Sequence, residues 1–356
     1  MTVHHIMPDH ELGGGGVMIA RLVGAFAARG EAAGHMVVLP ENTEPRQREL
    51  FRDLPHRFGA FPGRGSLVKM ARAIAAGAAK GDVIHAHGSR AAMAAALAAT
   101  VRRDLRVVYT VHGFHGLAQP GPLGLRAKIE HLLARRVDAT AFVSEADAAL
   151  AREHGLRHRD PAQVIENGMT TPAADPDAVR DVDLLFVGRL VYQKWPEAFV
   201  ETAALVPGAP RVVMIGAGEL APEIDARLAA LGLADFTRHD GLPSEETLAL
   251  MRRAKLVVMT SRWEGLPTVA IEAAMSGALL TGFDIPPTRG ILGAAADACL
   301  TPADPAQLAA RLTALLKDDA GRAALAASLE AGARARFDAG RMADRYAALY
   351  AALPAC

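Results

Sequence analysis

Short apolar runs alternate along this chain with Ala-rich segments whose apolar residues recur at helical spacing. "VHHIM" is the first run, and "HMVVL", "DVIHAHG", "RVVYTVHG", "ATAFVS" and "AQVIENG" follow. Then come "DLLFVGRL", "RVVMIGAG", "KLVVMTS" and "ALLTGF". The runs are short, β-branched and mostly bounded by Gly, which predicts parallel strands buried on both faces. Strand and helix in alternation predict βαβ units with helices on both sides of each sheet.

The pattern restarts once. Thr170 to Asp183, "TTPAADPDAVRDVD", is rich in Pro, Asp and Ala and has no apolar period, so it reads as a linker. The expected fold class is therefore α/β, with two Rossmann-like doubly wound domains facing a central cleft. The expected division is 1–172 and 173–340. A last helix, apolar at helical spacing from Met342 to Leu353, belongs to a 341–356 segment. A chain of 356 residues, 51% of them apolar, has material for two cores of ordinary size.

Open sheets of this kind bind ligands outside the carboxyl ends of their strands, so the chemistry is sought there. After the first strand, Gly13–Gly16 precede a helix expected to begin near Val17. The glycines let a ligand approach the backbone, and the helix start offers N–H groups to a phosphate or sugar. After "LLFVGRL", Arg189 and Lys194 are five residues apart, two cations suited to a diphosphate. After "KLVVMTS" comes "SRWEGLPTVAIEA". Pro267 suits the first helical turn, which leaves Glu264 in the preceding loop and Glu272 inside the helix. Glu264, beside the N–H groups of Gly265, Leu266 and Thr268, is placed to hold sugar hydroxyls. Glu272, roughly 8 Å further along the axis, is placed to hold a second set.

These residues carry a resemblance. "GRLVYQK" together with "SRWEGLPTVAIEA" resembles the signature of the family-4-type retaining glycosyltransferases (group 1 glycosyltransferases) with the GT-B fold. Glu264 and Glu272 meet its E-x7-E spacing. The Gly-rich first loop, "VHGFH" and "VIENG" fall in family order, so the resemblance covers essentially the whole chain. It implies that Arg189 and Lys194 hold the donor diphosphate. Glu264, Gly265, Leu266, Pro267 and Thr268 would hold the donor sugar and phosphate, and Glu272 the ribose. The loop containing Gly15 and Gly16 would close on the diphosphate, and His112 would sit beside the transferred sugar. His112 and Glu264 are thus the expected catalytic residues. Gly216, in "MIGAGEL", is read as a turn near the donor base. The last helix would cross back onto the first domain. Trp195 and Pro196 depart from the family, which often has Gly after the Lys. "TGFDIPPTRGILG" replaces its usual Gly-Gly stretch and Glu.

The implied reaction moves a sugar from a nucleotide-sugar donor, UDP favoured, to a glycan or lipid-linked glycan acceptor. No cofactor and no metal are expected. Two alternatives are a sugar-nucleotide 2-epimerase of the same architecture and a non-catalytic glycan-assembly protein. The Asp pairs of "DPD" (175–177) and "DVD" (181–183) resemble metal motifs but fall in the expected linker. The histidines of "HAH" (85–87) are expected on opposite strand faces, which removes them as a metal pair.

Charge adds one distinction. Lys+Arg and Asp+Glu are equal at 39 each, so no nucleic-acid partner is expected. Residues 1–172 nevertheless hold 21 basic against 16 acidic side chains, a bias that could serve an anionic membrane surface. "MTVHHIMPDH" lacks the features of a signal peptide, and no window of 18 apolar residues occurs. Cys299 and Cys356 are too few for a disulfide framework. A cytoplasmic protein, peripheral on the inner face of the membrane, is the expectation.

Overall fold

The computed structural model describes all residues except 10–12, 60–66, 115–124, 160, 171–178, 234 and 355–356. The chain divides into two compact units, Met1–Thr170 with Phe337–Cys356, and Thr171–Arg336.

The first unit is built on a seven-stranded parallel sheet. Its strands are β1 (Val3–Ile6), β2 (His35–Pro40), β3 (His56–Gly59), β4 (Val83–His87), β5 (Arg106–Val111), β6 (Ala139–Phe142) and β7 (Ala162–Val164), in the order β3-β2-β1-β4-β5-β6-β7. The order reverses between β1 and β4, the point where such sheets open at their carboxyl edge. Side chains alternate between the two faces. Ile84, Ala86, Val107, Tyr109 and Val111 enter a core beneath the helices Leu67–Gly77 and Ser89–Val101. Val3, Val37, Val83 and Val108 enter the opposite core.

That second core is closed by Gly14–Ala27 and by Ala339–Ala351 near the end of the chain, through Met18, Leu22 and Phe26 from the first helix and Met342, Tyr346 and Leu349 from the last. Asp338 caps the last helix by accepting from the Arg341 N–H at 2.9 Å. Just before it the chain bonds to Met169, which donates to the Phe337 carbonyl at 2.8 Å and accepts from Ala339 at 3.1 Å. Gly168 lies against this crossing, and a Cβ there would stand 2.6 Å from the Asp338 carbonyl oxygen. Close backbone approach accounts for the Gly of "VIENG".

The second unit holds six parallel strands: β8 (Val182–Val187), β9 (Val212–Ile215), β10 (Phe236–His239), β11 (Ala254–Met259), β12 (Leu279–Phe283) and β13 (Leu300–Thr301). Their order is β10-β9-β8-β11-β12-β13, which reverses between β8 and β11. The expected linker overlaps this unit: β8 begins at Val182, and residues 171–178, with "DPD", lie outside the described residues. Asp181 and Asp183 flank the start of β8 as ion-pair partners, Asp181 to Arg253 at 2.5 Å and Arg211 at 2.6 Å, and Asp183 to Lys255 at 2.7 Å. These pairs tie the amino edge of the sheet together.

Candidate active site

The two loops at the reversal of the second sheet, 188–195 after β8 and 260–267 after β11, are knitted to each other. Arg262 N–H donates to the Gln193 carbonyl at 2.8 Å, and Gln193 Nε2 donates to the Trp263 carbonyl at 3.0 Å. Thr260 Oγ1 donates to the Trp195 carbonyl at 2.9 Å. The Arg262 guanidinium lies 3.7 Å from the Trp195 ring centroid and 4.3 Å from that of Tyr192. Trp195 itself is left-handed, with φ 47° and ψ 57°, and caps the helix Pro196–Leu205. The position that departs from the family's Gly thus keeps a backbone that suits Gly.

This frame brings Lys194 and Glu264 together. Lys194 Nζ donates to Glu264 Oε1 at 2.5 Å, and Ser261 Oγ donates to the same oxygen at 2.6 Å. Gln193 Nε2 makes a long 3.4 Å contact with Oε2. The two charged side chains are 16% and 8% exposed. Arg189, just past β8, is exposed. Gly265, Leu266 and Pro267 are buried, and Thr268 is partly exposed. The helix is Thr268–Met275, so Pro267 is its N-cap rather than its first residue, with φ −70° and ψ 114°. Proline lends itself to either position because neither needs its missing N–H. Glu272 lies in the second turn, partly buried.

The loop after β9 closes on the same region. Leu190 N–H donates to the Ala217 carbonyl at 2.8 Å, and Gly216 N–H to the His239 carbonyl at 2.8 Å. A Cβ on Gly216 would stand 1.9 Å from the Gly188 carbonyl oxygen, so the turn admits only glycine.

In the first unit, the helix after β1 begins at Gly14, with Gly13 as its extended N-cap, and not near Val17. Gly14, Gly15 and Gly16 therefore form its first turn, where N–H groups have no intrahelical partner. Apolar periodicity could not show this, because glycine carries no side chain to record a period. A Cβ on Gly15 would meet nothing within 4 Å, whereas one on Gly16 would lie 3.1 Å from Met7 Cε.

His112 follows β5 and is half-buried, its Nε2 3.0 Å from His87 Nδ1. The expectation for "HAH" fails here. Residues two apart share a strand face, and the His85 and His87 rings lie 4.1 Å apart on the same side. His5, His85 and His87 each bring a nitrogen within 4.8 Å of the others. Strand parity was the signal that finds this cluster in the sequence.

Two family models match the chain. Glycosyltransferase Family 4 matches residues 12–171 and Glycosyl transferases group 1 matches residues 174–335. The chain belongs to the group 1 glycosyltransferases. Among curated relatives of this glycosyltransferase, the D-inositol 3-phosphate glycosyltransferase of Xylanimonas cellulosilytica is 28% identical over 75% of this chain and 72% of that one. The Vi polysaccharide biosynthesis protein VipC/TviE of Salmonella typhi is 30% identical over 32% of this chain and only 23% of its own length. Solved structures share the fold. HepE of Anabaena in complex with UDP and glucose has a TM-score of 0.85 at 19% identity, covering 99% of this chain and 100% of that one. The sucrose-phosphate synthase of Thermosynechococcus elongatus has a TM-score of 0.82 at 18% identity, covering 99% and 98%. Both sheets of this glycosyltransferase thus belong to the GT-B architecture.

Proposed function

We propose that this glycosyltransferase moves a hexosyl group, with retention, from a UDP-sugar to a glycan or lipid-linked glycan in polysaccharide or glycolipid synthesis, without a metal ion. The observation that carries the reading is the Lys194–Glu264 pair at the strand reversal of the second sheet, with the exposed Arg189 on the same post-strand loop as Lys194. Two cations there can neutralise a departing diphosphate. Glu264 takes the transferred sugar and Glu272 the ribose. His112 and the first-turn glycines Gly15 and Gly16 serve the sugar and diphosphate from the first unit. UDP is favoured because HepE was solved with UDP and with UDP-glucose, and a polysaccharide product because of the Vi biosynthesis relative.

The bond from the anomeric carbon to the diphosphate oxygen breaks, and the bond to the acceptor oxygen forms on the same face. The acceptor proton passes to the leaving phosphate, so no protein nucleophile is required. Acceptor delivery is proposed at an anionic membrane face on the cytoplasmic side. Exposed Lys128, Arg135 and Arg136 accompany exposed Leu132 on one helix, and Lys69 and Arg72 accompany Val68 on another. Among the described residues no helix is long and apolar enough to cross a membrane. Incubation with a panel of nucleotide sugars and lipid-linked acceptors, with mass spectrometry and anomeric NMR of the product, tests the reading. An inverted anomeric product, or no transfer from any donor, counts against it.

A further inference from the structure

The face of the first sheet covered by the last helix carries an unusual row. His35, His5, His85, His87, Thr110 and His112 all project from it, because each shares strand parity with the core residues Val37, Val3, Val83 and Val108. His35 Nδ1 lies 3.0 Å from His5 Nε2, His5 Nδ1 lies 3.2 Å from His87 Nε2, and His87 Nδ1 lies 3.0 Å from His112 Nε2. Four imidazoles thus run nitrogen to nitrogen from β2, across β1 and β4, to the residue that follows β5. His35, His5 and His87 are all buried. His85 stands beside the row and is held separately, Nδ1 to the Tyr350 hydroxyl and Nε2 to Thr110 Oγ1, both at 2.7 Å.

All six ring nitrogens of His5, His85 and His87 therefore have side-chain partners. A metal at this cluster would have to break several of these bonds, so the geometry favours a hydrogen-bonded chain over a coordination site. Burial also keeps these rings uncharged, since it lowers the pKa of His5, His85 and His87 well below the ordinary imidazole value. An uncharged imidazole has one N–H donor and one bare acceptor. In a nitrogen-to-nitrogen chain, fixing the tautomer of one ring fixes every other.

We propose that His87, with His5 and His35 behind it, is a positioning residue that holds the His112 imidazole in one tautomer and one orientation. This deepens the reading of His112 as the residue beside the transferred sugar and rests on it. The chain couples His112 to His35, a residue three rings away with no place in the proposed donor site. A ring fixed in advance presents the same donor or acceptor to every substrate and needs no reordering during reaction.

The test separates the chain from the glycosyltransferase reading, because its first readout is spectroscopic. In protein carrying 15N-histidine at pH 7.5, His112 is expected to show one tautomer. His35→Leu cuts the far end of the chain and should shift the His112 nitrogens toward a tautomer mixture. His35→Asn retains a polar atom near the Nδ1 position and should restore most of the wild-type pattern. His87→Asn, which keeps the contact toward His112, should perturb His112 less than His87→Gln, which keeps the contact toward His5. Where donor turnover is measurable, His87→Gln should lower kcat about five- to tenfold, the worth of one neutral hydrogen bond, with donor KM within about twofold. Melting curves identify any variant that fails to fold, and the two positions back each other up. His112 resonances indifferent to both His35→Leu and His87→Gln overturn the proposal. So does stoichiometric zinc or cobalt binding by wild-type protein that is lost in His5→Gln. If the tautomer shifts appear and no sugar is transferred, the chain stands and the functional reading falls.

Discussion

Lys194 and Glu264 form a 2.5 Å ion pair between two post-strand loops, and both side chains are largely buried. The pair makes the two residues unequal under mutation. Lys194→Ala leaves a buried carboxylate with Ser261 and the long Gln193 contact but no cation, which costs about 1–3 kcal/mol of stability. It should lower the melting temperature and weaken nucleotide binding together. Glu264→Gln keeps the Ser261 contact and releases the Lys194 charge toward a diphosphate. It should cut kcat roughly ten- to a hundredfold while nucleotide affinity holds or rises. Loss of affinity with kcat intact would reverse the assigned roles.

Glu272 sits in the second turn of its helix. Contacts to a ribose, the group proposed for Glu272, are the same in ground and transition states, so on that proposal Glu272→Gln should raise donor KM about tenfold with a smaller change in kcat. Steady-state kinetics over donor concentration checks this, and a kcat effect alone contradicts it.

Trp195 combines a left-handed backbone with ring contacts to Arg262 and to Phe283, whose ring centroid is 5.4 Å away. Trp195→Ala loses the ring and keeps the strain. Trp195→Gly loses the ring and relieves it, so the Gly variant should be the more stable by about 1 kcal/mol. Chemical denaturation of the two variants gives the order directly, and the reverse order rejects the backbone reading.

Gly15 and Gly216 should respond oppositely to alanine. Gly216→Ala forces a Cβ onto the Gly188 carbonyl and should abolish folding or nearly so. Gly15→Ala meets open space in a first helical turn. It should leave the melting temperature unchanged or slightly raised, since Ala outranks Gly in a helix by about 0.5–1 kcal/mol. A fall in donor turnover in the Gly15 variant then reports ligand approach rather than folding.

Stability should fall as the pH drops from 6.5 toward 4. Burial holds His35 and His158 at about 4 and keeps His5, His85 and His87 low as well. In that window the unfolded chain binds protons that the native chain refuses, so each group removes stability as the pH falls. Asp147 acts in the opposite sense: burial raises it to about 6, and the native form gains from its proton between about 6 and 3.8. Burial raises the Glu130 carboxyl too, in the same sense as Asp147, but five imidazoles outweigh two carboxyls, and urea midpoints at pH 7.5 and 5 should show a net loss.

The central strands of both sheets were legible because each is a short buried run rich in β-branched and apolar residues, even where histidines interrupt it as in β1 and β4. β3, β10 and β13 were not. Each is a sheet edge with one neighbour, and two of the four residues of "HRFG" and three of the four of "FTRH" are polar. The positions of Lys194, Glu264 and Glu272 past the strands at the sheet reversal were legible because those strands were, whereas the direct Lys194–Glu264 pair has no signal in the spacing. The histidine row was missed on parity, since residues 85 and 87 share a face. The helix start at Gly14 was missed because glycine leaves no apolar period.

The second unit is proposed to receive a nucleoside diphosphate at Arg189, Lys194 and Glu272. Calorimetric titration of the full chain with UDP, GDP and ADP, without added metal and with chelator present, tests it most directly. Saturable one-to-one binding is expected, strongest for UDP and weakened about tenfold or more in Arg189→Ala and Glu272→Gln. Folded wild-type protein that binds none of the three, or binds only when a divalent cation is supplied, contradicts it.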